Sequence, residues 1–264
     1  MIKSRKEKMI LTIDVGNTTI QGGLFEGEKP VLQFRRSTNA SLSSDELGLF
    51  LRDVIRLNGF DHTKVSRIAC CSVVPAINHS LSNAFVKYFG KEALFIQAGI
   101  KTGLKLKYSN PKEIGADRIA AAIGAITIKK DTDLIIVDMG TATTVDVVTA
   151  GREYSGGAII PGIGMSVHSL ADGTAQLPSV EVKQPEKICG TSTIEAIQSG
   201  IFFGQAGAIR ELCVLFEKNV FGGKRPYIIG TGGFARLFEN YGIFDQIVPD
   251  LVLRGLLTAL SLNA

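Results

Sequence analysis

Two segments of the chain repeat one pattern of residue types that could bind phosphate. Residues 11–19 read LTIDVGNTT and residues 135–143 read IIVDMGTAT. In each segment an apolar run ends in an aspartate, Asp14 or Asp138, and a glycine and small hydroxyl or amide residues follow. The apolar run predicts a buried strand, and the glycine permits a tight turn. A carboxylate there can hold a cation, while side-chain and turn N–H groups reach phosphate oxygens.

The spacing of the two segments adds to this interpretation. One copy alone is as compatible with a plain hairpin turn as with a phosphate site. The copies lie about half of the 264-residue chain apart. The repetition therefore predicts two similar halves that face one nucleotide from both sides.

A third group of residues could supply a base. Gly115, Ala116, Asp117 and Arg118 stand where a polar loop enters an alanine-rich helix. An aspartate in that place is often only a helix N-cap. Alternatively, Asp117 accepts the proton of an attacking hydroxyl and Arg118 binds a carboxylate or phosphate through two hydrogen bonds. Phosphoryl transfer needs such an oriented nucleophile, and a late deprotonation allows an aspartate of ordinary pKa to act.

The glycine-rich loop 230–233, GTGG, follows another apolar run. Its glycines would let the backbone approach a base or ribose, although a plain strand-to-helix turn has the same appearance. The loop lacks the third spaced glycine of the dinucleotide fingerprint. The chain also lacks the Gly-x-x-x-x-Gly-Lys-Ser/Thr pattern, which excludes a P-loop.

The elements that would position these residues form an α/β pattern. Each half is predicted to begin with three antiparallel strands and to continue with alternating helices and strands, which gives one mixed sheet in each half. Residues 156–162 are predicted as a loop, and residues 253–262 as a closing helix. The predicted division is a disordered leader (1–8), an N-terminal domain (9–130) and a C-terminal domain (131–264).

Composition excludes several classes of function. The chain is 45% hydrophobic and 20% charged, with a net charge of +4 that comes mostly from the leader. No basic stripe with interleaved aromatic residues suggests nucleic-acid binding. No apolar run approaches the length of about 18 residues that a membrane span needs, and no secretory signal is present. The four cysteines lack a C-x-x-C spacing, so we expect reduced thiols and a cytoplasmic protein.

Seven motifs in order resemble those of the type III pantothenate kinases. The resemblance runs from about Met9 to the C-terminus, and no single motif carries it. The motifs are DVGNT (14–18), SVVP (72–75), KYSNPKEIGADR (107–118), DMGTATT (138–144), GGAIIPG (156–162), TAQLP (174–178) and GTGG (230–233).

The resemblance implies a fold and a reaction. The fold would be the actin/Hsp70/sugar-kinase type, with two ribonuclease-H-like domains. The reaction would be ATP-dependent phosphorylation of pantothenate at its primary hydroxyl, the first step of coenzyme A biosynthesis. The partners would be ATP and pantothenate, without nucleic acid or membrane, and the family is typically homodimeric.

The resemblance also implies residue roles. Asp117 would be the base, and Asp138 would hold a monovalent cation, K⁺ or NH₄⁺. Thr141 would contact ATP, and Thr193 would reach pantothenate across a dimer interface. The ATP phosphates, with Mg²⁺, would be held by Asp14, Val15, Gly16, Asn17, Thr18, Thr19, Ile20 and Gln21. Pantothenate would be lined by Tyr108, Gly115, Ala116, Asp117 and Arg118.

Two other functions stay open on the sequence. One is a kinase of the same fold that acts on another small hydroxylated substrate. The other is a nucleotide-binding regulator without catalysis. Asp117 argues against the regulator, since a protein that only binds a nucleotide needs no base beside an acceptor pocket.

Overall fold

The structure is a computed structural model that describes residues 8–264. The predicted disordered leader therefore lies, up to residue 7, outside the described residues. Contacts divide the chain into two units. The first contains the described residues up to Leu104, Asn110–Thr127 and Leu251–Ala264, and the second contains Lys105–Ser109 and Ile128–Asp250.

A five-stranded mixed sheet forms the centre of the first unit. Its strands are β1 (Met9–Val15), β2 (Thr19–Glu26), β3 (Lys29–Ser37), β4 (Val65–Ser72) and β5 (Ala93–Phe95), in the order β3-β2-β1-β4-β5. The strands β1 to β3 are antiparallel neighbours, whereas β1, β4 and β5 run parallel. Leu11, Ile13 and Val15 are fully buried, as the apolar run of β1 predicts.

Local signals explain where the helices of the first unit begin. Those helices are α1 (Ser44–Leu57), α2 (Pro75–Phe89), α3 (Ala116–Ile128) and, at the end of the chain, α6 (Leu251–Leu262). Ser43 and Glu46 form a reciprocal capping box at the start of α1. Pro75 occupies the first turn of α2, where its missing N–H costs nothing, and Gly90 ends that helix in the left-handed conformation.

The second unit repeats this topology. Its strands are β6 (Lys105–Leu106), β7 (Leu134–Met139), β8 (Ala142–Val148), β9 (Glu153–Pro161), β10 (Tyr227–Thr231) and β11 (Gln246–Ile247). The order β11-β10-β7-β8-β9-β6 contains the same antiparallel triplet beside two parallel strands, with β6 added. The helices α4 (Ile163–Asp172) and α5 (Thr193–Asn219) complete this unit. The prediction of two similar α/β halves is confirmed.

The loop predicted over residues 156–162 is mostly strand. β9 continues to Pro161 and pairs with β8 along its length. Glycine-rich sequence usually weakens a strand, but here it permits close approach, because a Cβ atom at position 157 would overlap the carbonyl oxygen of Val145. The prediction was wrong because the pairing partner, which local sequence does not show, decides the outcome.

The closing helix α6 packs in the first unit, which differs from the predicted division at residue 130. Leu253, Leu256 and Leu260 of this helix are buried, and it packs on β1 and β4. It also approaches α3 closely, since a Cβ atom at Gly255 would overlap the carbonyl oxygen of Ala120. An apolar helix buries its surface where a complementary face exists, and that face lies in the first unit.

One helix of the described residues, α5, is long and apolar enough to cross a membrane by length and composition alone. No such segment was expected from the sequence, because no unbroken apolar run approaches the required length. Phe202, Ala206 and Ile209 of this helix belong to the buried core of the second unit. Core helices of globular proteins meet the same criteria, and we interpret α5 as one of them.

Candidate functional site

The turn between β1 and β2 carries the first aspartate motif. Asp14 lies near the end of β1, and the turn closes through a 3.0 Å hydrogen bond from Gly16 N to Thr19 O. Thr38, just after β3, donates its hydroxyl to Gly16 O at 2.7 Å and its backbone N–H to Thr18 O at 2.9 Å. The turn is therefore fixed by the neighbouring strand as well as by itself.

The predicted ATP-binding residues of this turn differ in what they offer. The side chains of Val15 and Ile20 are buried in the core, so only their main-chain groups are available. Asn17 and Thr18 are exposed, and Gln21 pairs with Asp14 across the β1–β2 ladder. The turn thus presents a carboxylate, exposed amide and hydroxyl groups and backbone N–H groups, which suits a phosphate with its cation.

Asp14 lies in a largely buried environment. Burial raises the pKa of its carboxyl to about 7, a hydrogen bond from the Cys71 thiol opposes that rise, and the charge of Asp117 adds to it. The electrostatic effect of Asp117 on Asp14 shows that the structure brings the two predicted carboxylates into one neighbourhood. A cation near Asp14 would restore its ionised form.

The base candidate lies inside α3 and not before it. α3 begins at Ala116, so Asp117 stands in the first turn, and its carboxylate accepts a hydrogen bond from Arg118 N at 2.8 Å. The N-cap interpretation is therefore wrong. The absence of a side chain at Gly115 makes room for this carboxylate, because a Cβ atom there would overlap Asp117 Oδ1. The side chain of Arg118 is buried, with 8% exposure.

The second aspartate motif lies between two neighbouring strands, and a glycine packs against its carboxylate. Asp138 in β7 pairs with Thr144 of β8 and with Thr231 of β10. Gly232 follows Thr231 with φ of +86°, and a Cβ atom there would overlap Asp138 Oδ1. The glycine-rich loop predicted as a third nucleotide contact thus lies directly against Asp138.

Thr141 occupies the exposed turn between β7 and β8. The turn closes through a 3.1 Å hydrogen bond from Gly140 N to Ala142 O. Gly162, which precedes α4, packs against this turn, and a Cβ atom there would overlap the carbonyl oxygen of Thr141. The position of Thr141 therefore depends on the glycine at residue 162.

Tyr108 belongs to the second unit, where β9 supports it. Lys107 N donates to Tyr154 O at 2.9 Å, and the rings of Tyr108 and Tyr154 lie 6.5 Å apart. Gly156, with φ of +98°, leaves space beside the Tyr108 ring. Tyr154 is fully buried and its hydroxyl donates to Asp146 at 2.6 Å. Sequence reasoning missed Asp146, whose signal is a carboxylate within the apolar run of β8.

Thr193 is the first residue of α5, and its surroundings differ from those of the two hydroxyl residues before it. Ser192 caps the helix by accepting a hydrogen bond from Glu195 N at 3.3 Å. Thr191 donates its N–H and its hydroxyl to the Glu195 carboxylate at 2.7 and 2.9 Å. These two residues therefore serve the local fold, whereas Thr193 stands on the exposed surface of the helix.

The described residues contain no group of three or more histidine, cysteine, aspartate or glutamate side chains that could hold a metal ion. Each turn instead offers one carboxylate. Mg²⁺ is commonly held by one or two carboxylates together with water and substrate phosphates, and the arrangement around Asp14 fits that kind of binding.

A pocket of about 360 Å³ lies in the first unit at the carboxyl ends of β4 and β5. Ser72, Asn78 and Gln97 are among its lining residues. Asn78 Oδ1 is the one buried side-chain nitrogen or oxygen atom in the described part of the chain without a hydrogen-bond partner. The sequence analysis did not predict this pocket.

Solved structures share the fold at low identity. The chain superposes with a TM-score of 0.52 on the ethanolamine utilization protein EutJ from Carboxydothermus hydrogenoformans, at 15% identity, covering 97% of this chain and 90% of that one. The activator of the 2-hydroxyisocaproyl-CoA dehydratase from Clostridium difficile, with bound ADPNP, gives a TM-score of 0.50 at 14% identity, covering 95% and 92%. The chain has the actin/Hsp70/sugar-kinase fold, as predicted.

Curated relatives are much closer in sequence. A type III pantothenate kinase from Legionella pneumophila (strain Corby) is 48% identical over 97% of this chain and 99% of its own length. A type III pantothenate kinase from Elusimicrobium minutum (strain Pei191) is 45% identical over the same shares. The profile of the type III pantothenate kinases matches residues 10–214. The chain belongs to the type III pantothenate kinase family.

Proposed function

We propose that this enzyme transfers the γ-phosphoryl group of ATP to the primary hydroxyl of pantothenate, with Asp117 as general base. Family membership makes the chain a pantothenate kinase of coenzyme A biosynthesis that uses ATP with a divalent metal. The observation that carries the catalytic assignment is the placement of Asp117, in the first turn of α3, within electrostatic range of Asp14.

The reaction divides into roles that these residues can fill. The pantothenate hydroxyl attacks the γ-phosphorus, its proton passes to an Asp117 carboxylate oxygen, and ADP leaves. Gly115 keeps the space beside that carboxylate open. Arg118 would bind the substrate carboxylate, with Gly115, Ala116 and Tyr108 lining the site. Such a base contributes about 10²–10⁴-fold, and positioning with charge stabilisation supplies most of the acceleration.

The phosphate contacts are proposed on both aspartate turns. The turn 14–21 would hold the ATP phosphates together with Mg²⁺, which neutralises charge on the transferred group when bound. Thr141 would contact ATP from its exposed turn. Asp138, half-buried near the end of β7, would hold a monovalent cation, K⁺ or NH₄⁺.

A homodimer is proposed with α5 at its interface. The outer face of this helix carries Gly200, Gly204 and Gly207, beside which space is open. Ile194 and Val214 on this helix are 51% and 59% exposed, and a partner protomer would cover them. Thr193 at the start of α5 would then reach the pantothenate of the partner protomer. We also propose that the enzyme is cytoplasmic.

The decisive experiment is a coupled ADP-release assay on the purified protein. We expect ADP release that requires pantothenate, ATP and Mg²⁺ and that increases when K⁺ replaces Na⁺. A folded sample that releases ADP with another small hydroxylated acceptor but not with pantothenate would contradict the substrate. Equal rates in K⁺ and Na⁺ would contradict the role of Asp138.

The variant Asp117→Asn tests the base. It removes the proton acceptor at nearly constant shape, so we expect kcat to fall about 10²–10⁴-fold while the KM for ATP changes little. The matched control is Asp45→Asn, since Asp45 pairs with Lys87 on the surface of α1. The control should keep wild-type turnover. Wild-type kcat in Asp117→Asn would exclude Asp117 as the base.

A further inference from the structure

A buried thiol lies beside the aspartate of the first turn. Cys71 and Asp14 are paired in the parallel register of β1 and β4. Cys71 Sγ donates a hydrogen bond to Asp14 Oδ1 at 3.1 Å, and the cysteine is fully buried. None of the roles proposed above uses this thiol.

The two adjacent cysteines of β4 have different surroundings. Successive side chains of a strand point to opposite faces of its sheet. Cys70 belongs to the apolar core cluster of the first unit, and its thiol donates a hydrogen bond to the neighbouring carbonyl oxygen of Cys71, at 3.5 Å. Cys71 lies on the other face and bonds to the carboxylate of Asp14. The bond is therefore specific to one of two otherwise similar thiols.

We propose that Cys71 is a positioning residue, whose S–H group holds the Asp14 carboxylate in the orientation that binds the metal–phosphate group of ATP. This inference rests on the proposed role of Asp14. The hydrogen bond uses Oδ1 only, and a carboxylate has a second oxygen that can serve a cation or its water. A carboxylate fixed before the ligand arrives binds it with a smaller loss of rotational freedom.

The electrostatics of the position support the inference. Burial and the negative charge of Asp117 both favour the protonated form of Asp14, and the hydrogen bond from Cys71 opposes them by lowering the pKa of that carboxyl. The thiol itself stays protonated, because burial and the nearby charge of Asp14 raise the pKa of Cys71 well above its ordinary value. Cys71 therefore remains a hydrogen-bond donor to Asp14 and does not become a thiolate that would repel the carboxylate.

Three cysteine variants and Asp14→Ala test the inference by measuring the affinity for a non-hydrolysable ATP analogue with Mg²⁺, without pantothenate, by calorimetry. Cys71→Ala should bind about tenfold more weakly, the effect of losing one hydrogen bond to a charged group. Cys71→Ser keeps a donor and should bind close to wild type. Cys70→Ala, the matched control, removes a buried thiol of the same strand and should leave the affinity unchanged.

A second readout does not depend on the nucleotide. The S–H stretching band of Cys71, identified by subtracting the infrared spectrum of Cys71→Ala, should lie at lower wavenumber in the wild type than in Asp14→Ala. A hydrogen bond to a carboxylate weakens the S–H bond, and Asp14→Ala removes that acceptor. An identical band in the two proteins would overturn the proposed bond.

The outcomes separate this inference from the proposed function. Wild-type affinity in Cys71→Ala with a large loss in Asp14→Ala overturns the role of Cys71 and keeps that of Asp14. Wild-type affinity in both variants overturns both roles. Equal losses in Cys71→Ala and Cys71→Ser would show that the volume of the side chain matters and its hydrogen bond does not, which also overturns the inference.

Discussion

At the scale of single residues, the proposed phosphate site contains a carboxylate whose folded environment disfavours its own charge. Asp14 has a pKa of about 7, compared with 3.8 for an ordinary aspartate, chiefly because it is buried. Ionisation of this carboxyl therefore costs the ligand-free protein folding stability, and a bound cation would remove that cost. Such a cost is typical of functional positions, where stability is given up for a binding or catalytic group.

This shift predicts a pH dependence of stability. Between pH 3.8 and 7 the folded protein keeps a proton on Asp14 that the unfolded chain has released. The contribution of Asp14 to the free energy of unfolding therefore falls as the pH rises through this window, by at most about 4 kcal/mol, and is constant above it. We expect ligand-free wild type to lose stability relative to Asp14→Asn from pH 4.5 to pH 7, as chemical denaturation at both values would measure.

The asparagine variant is itself the control, because its side chain does not titrate. Stability curves of the two proteins that run parallel across this pH range would contradict the raised pKa. Saturating ATP and Mg²⁺ should shift the wild type toward higher stability at pH 7, since ligand binding favours the ionised carboxylate.

The candidate site residues could be proposed from the sequence, because strand–aspartate–glycine patterns are local. The contacts of Cys71 and Asp146 could not. They come from a neighbouring strand, through the register of β1 with β4 and the hydrogen bond from Tyr154 to Asp146. A side chain that acts through a residue distant in sequence leaves no local pattern.

At the scale of elements, the glycine before α4 controls the turn that carries Thr141. Gly162→Ala has an ordinary backbone conformation, φ of −73°, so its cost is the overlap of the new methyl group with the Thr141 carbonyl oxygen. We expect a loss of about 1–3 kcal/mol in the free energy of unfolding, as for other overpacked sites, together with a raised KM for ATP. Thermal unfolding and steady-state kinetics measure the two effects.

Gly164→Ala is the matched control for this substitution. It lies two residues further, inside α4, and no atom comes within contact distance of an added Cβ atom. Alanine favours a helix over glycine, so this variant should gain up to about 1 kcal/mol. Equal effects of the two alanines would contradict the proposed contact between Gly162 and the turn.

Most elements could be predicted from apolar periodicity and capping residues, as at Ser43 and Pro75. Among the exceptions were the short strands β6 and β11, which were not predicted, the strand β9 and the packing of α6. Glycine-rich β9 is a strand because it pairs with β8, whose backbone lies close to its glycines. The apolar stripe of α6 shows that the helix is buried, but it does not show which sheet buries it.

At the scale of the whole molecule, the homodimer proposed on α5 predicts that a single charged side chain introduced on this helix dissociates the dimer. Gly204→Arg places a long cationic side chain in the open, apolar outer face of this helix, where a partner would have to bury it. We expect light scattering to report a monomer, and the KM for pantothenate to rise because Thr193 loses its partner. Circular dichroism should stay that of the wild type.

Leu57→Arg serves as the control for added charge, since Leu57 is 79% exposed at the end of α1 in the other unit. It should leave the assembly state unchanged. A Gly204→Arg protein that has the mass and the pantothenate KM of the wild type would exclude an interface on this face of α5.

The position of α6 also bears on how the chain is made. The second unit, Lys105–Ser109 and Ile128–Asp250, can complete its sheet once residue 250 has left the ribosome, but the first unit needs residues 251–264, the last to be synthesised. The sheet of the first unit is therefore translated first but completed last. The surface of β1 and β4 that receives α6 stays exposed until α6 has been synthesised. Asp14 and Asp117 belong to this late-completed unit. If they have the proposed roles, a product truncated near residue 250 lacks a finished phosphate turn and base, and we expect it to have no kinase activity.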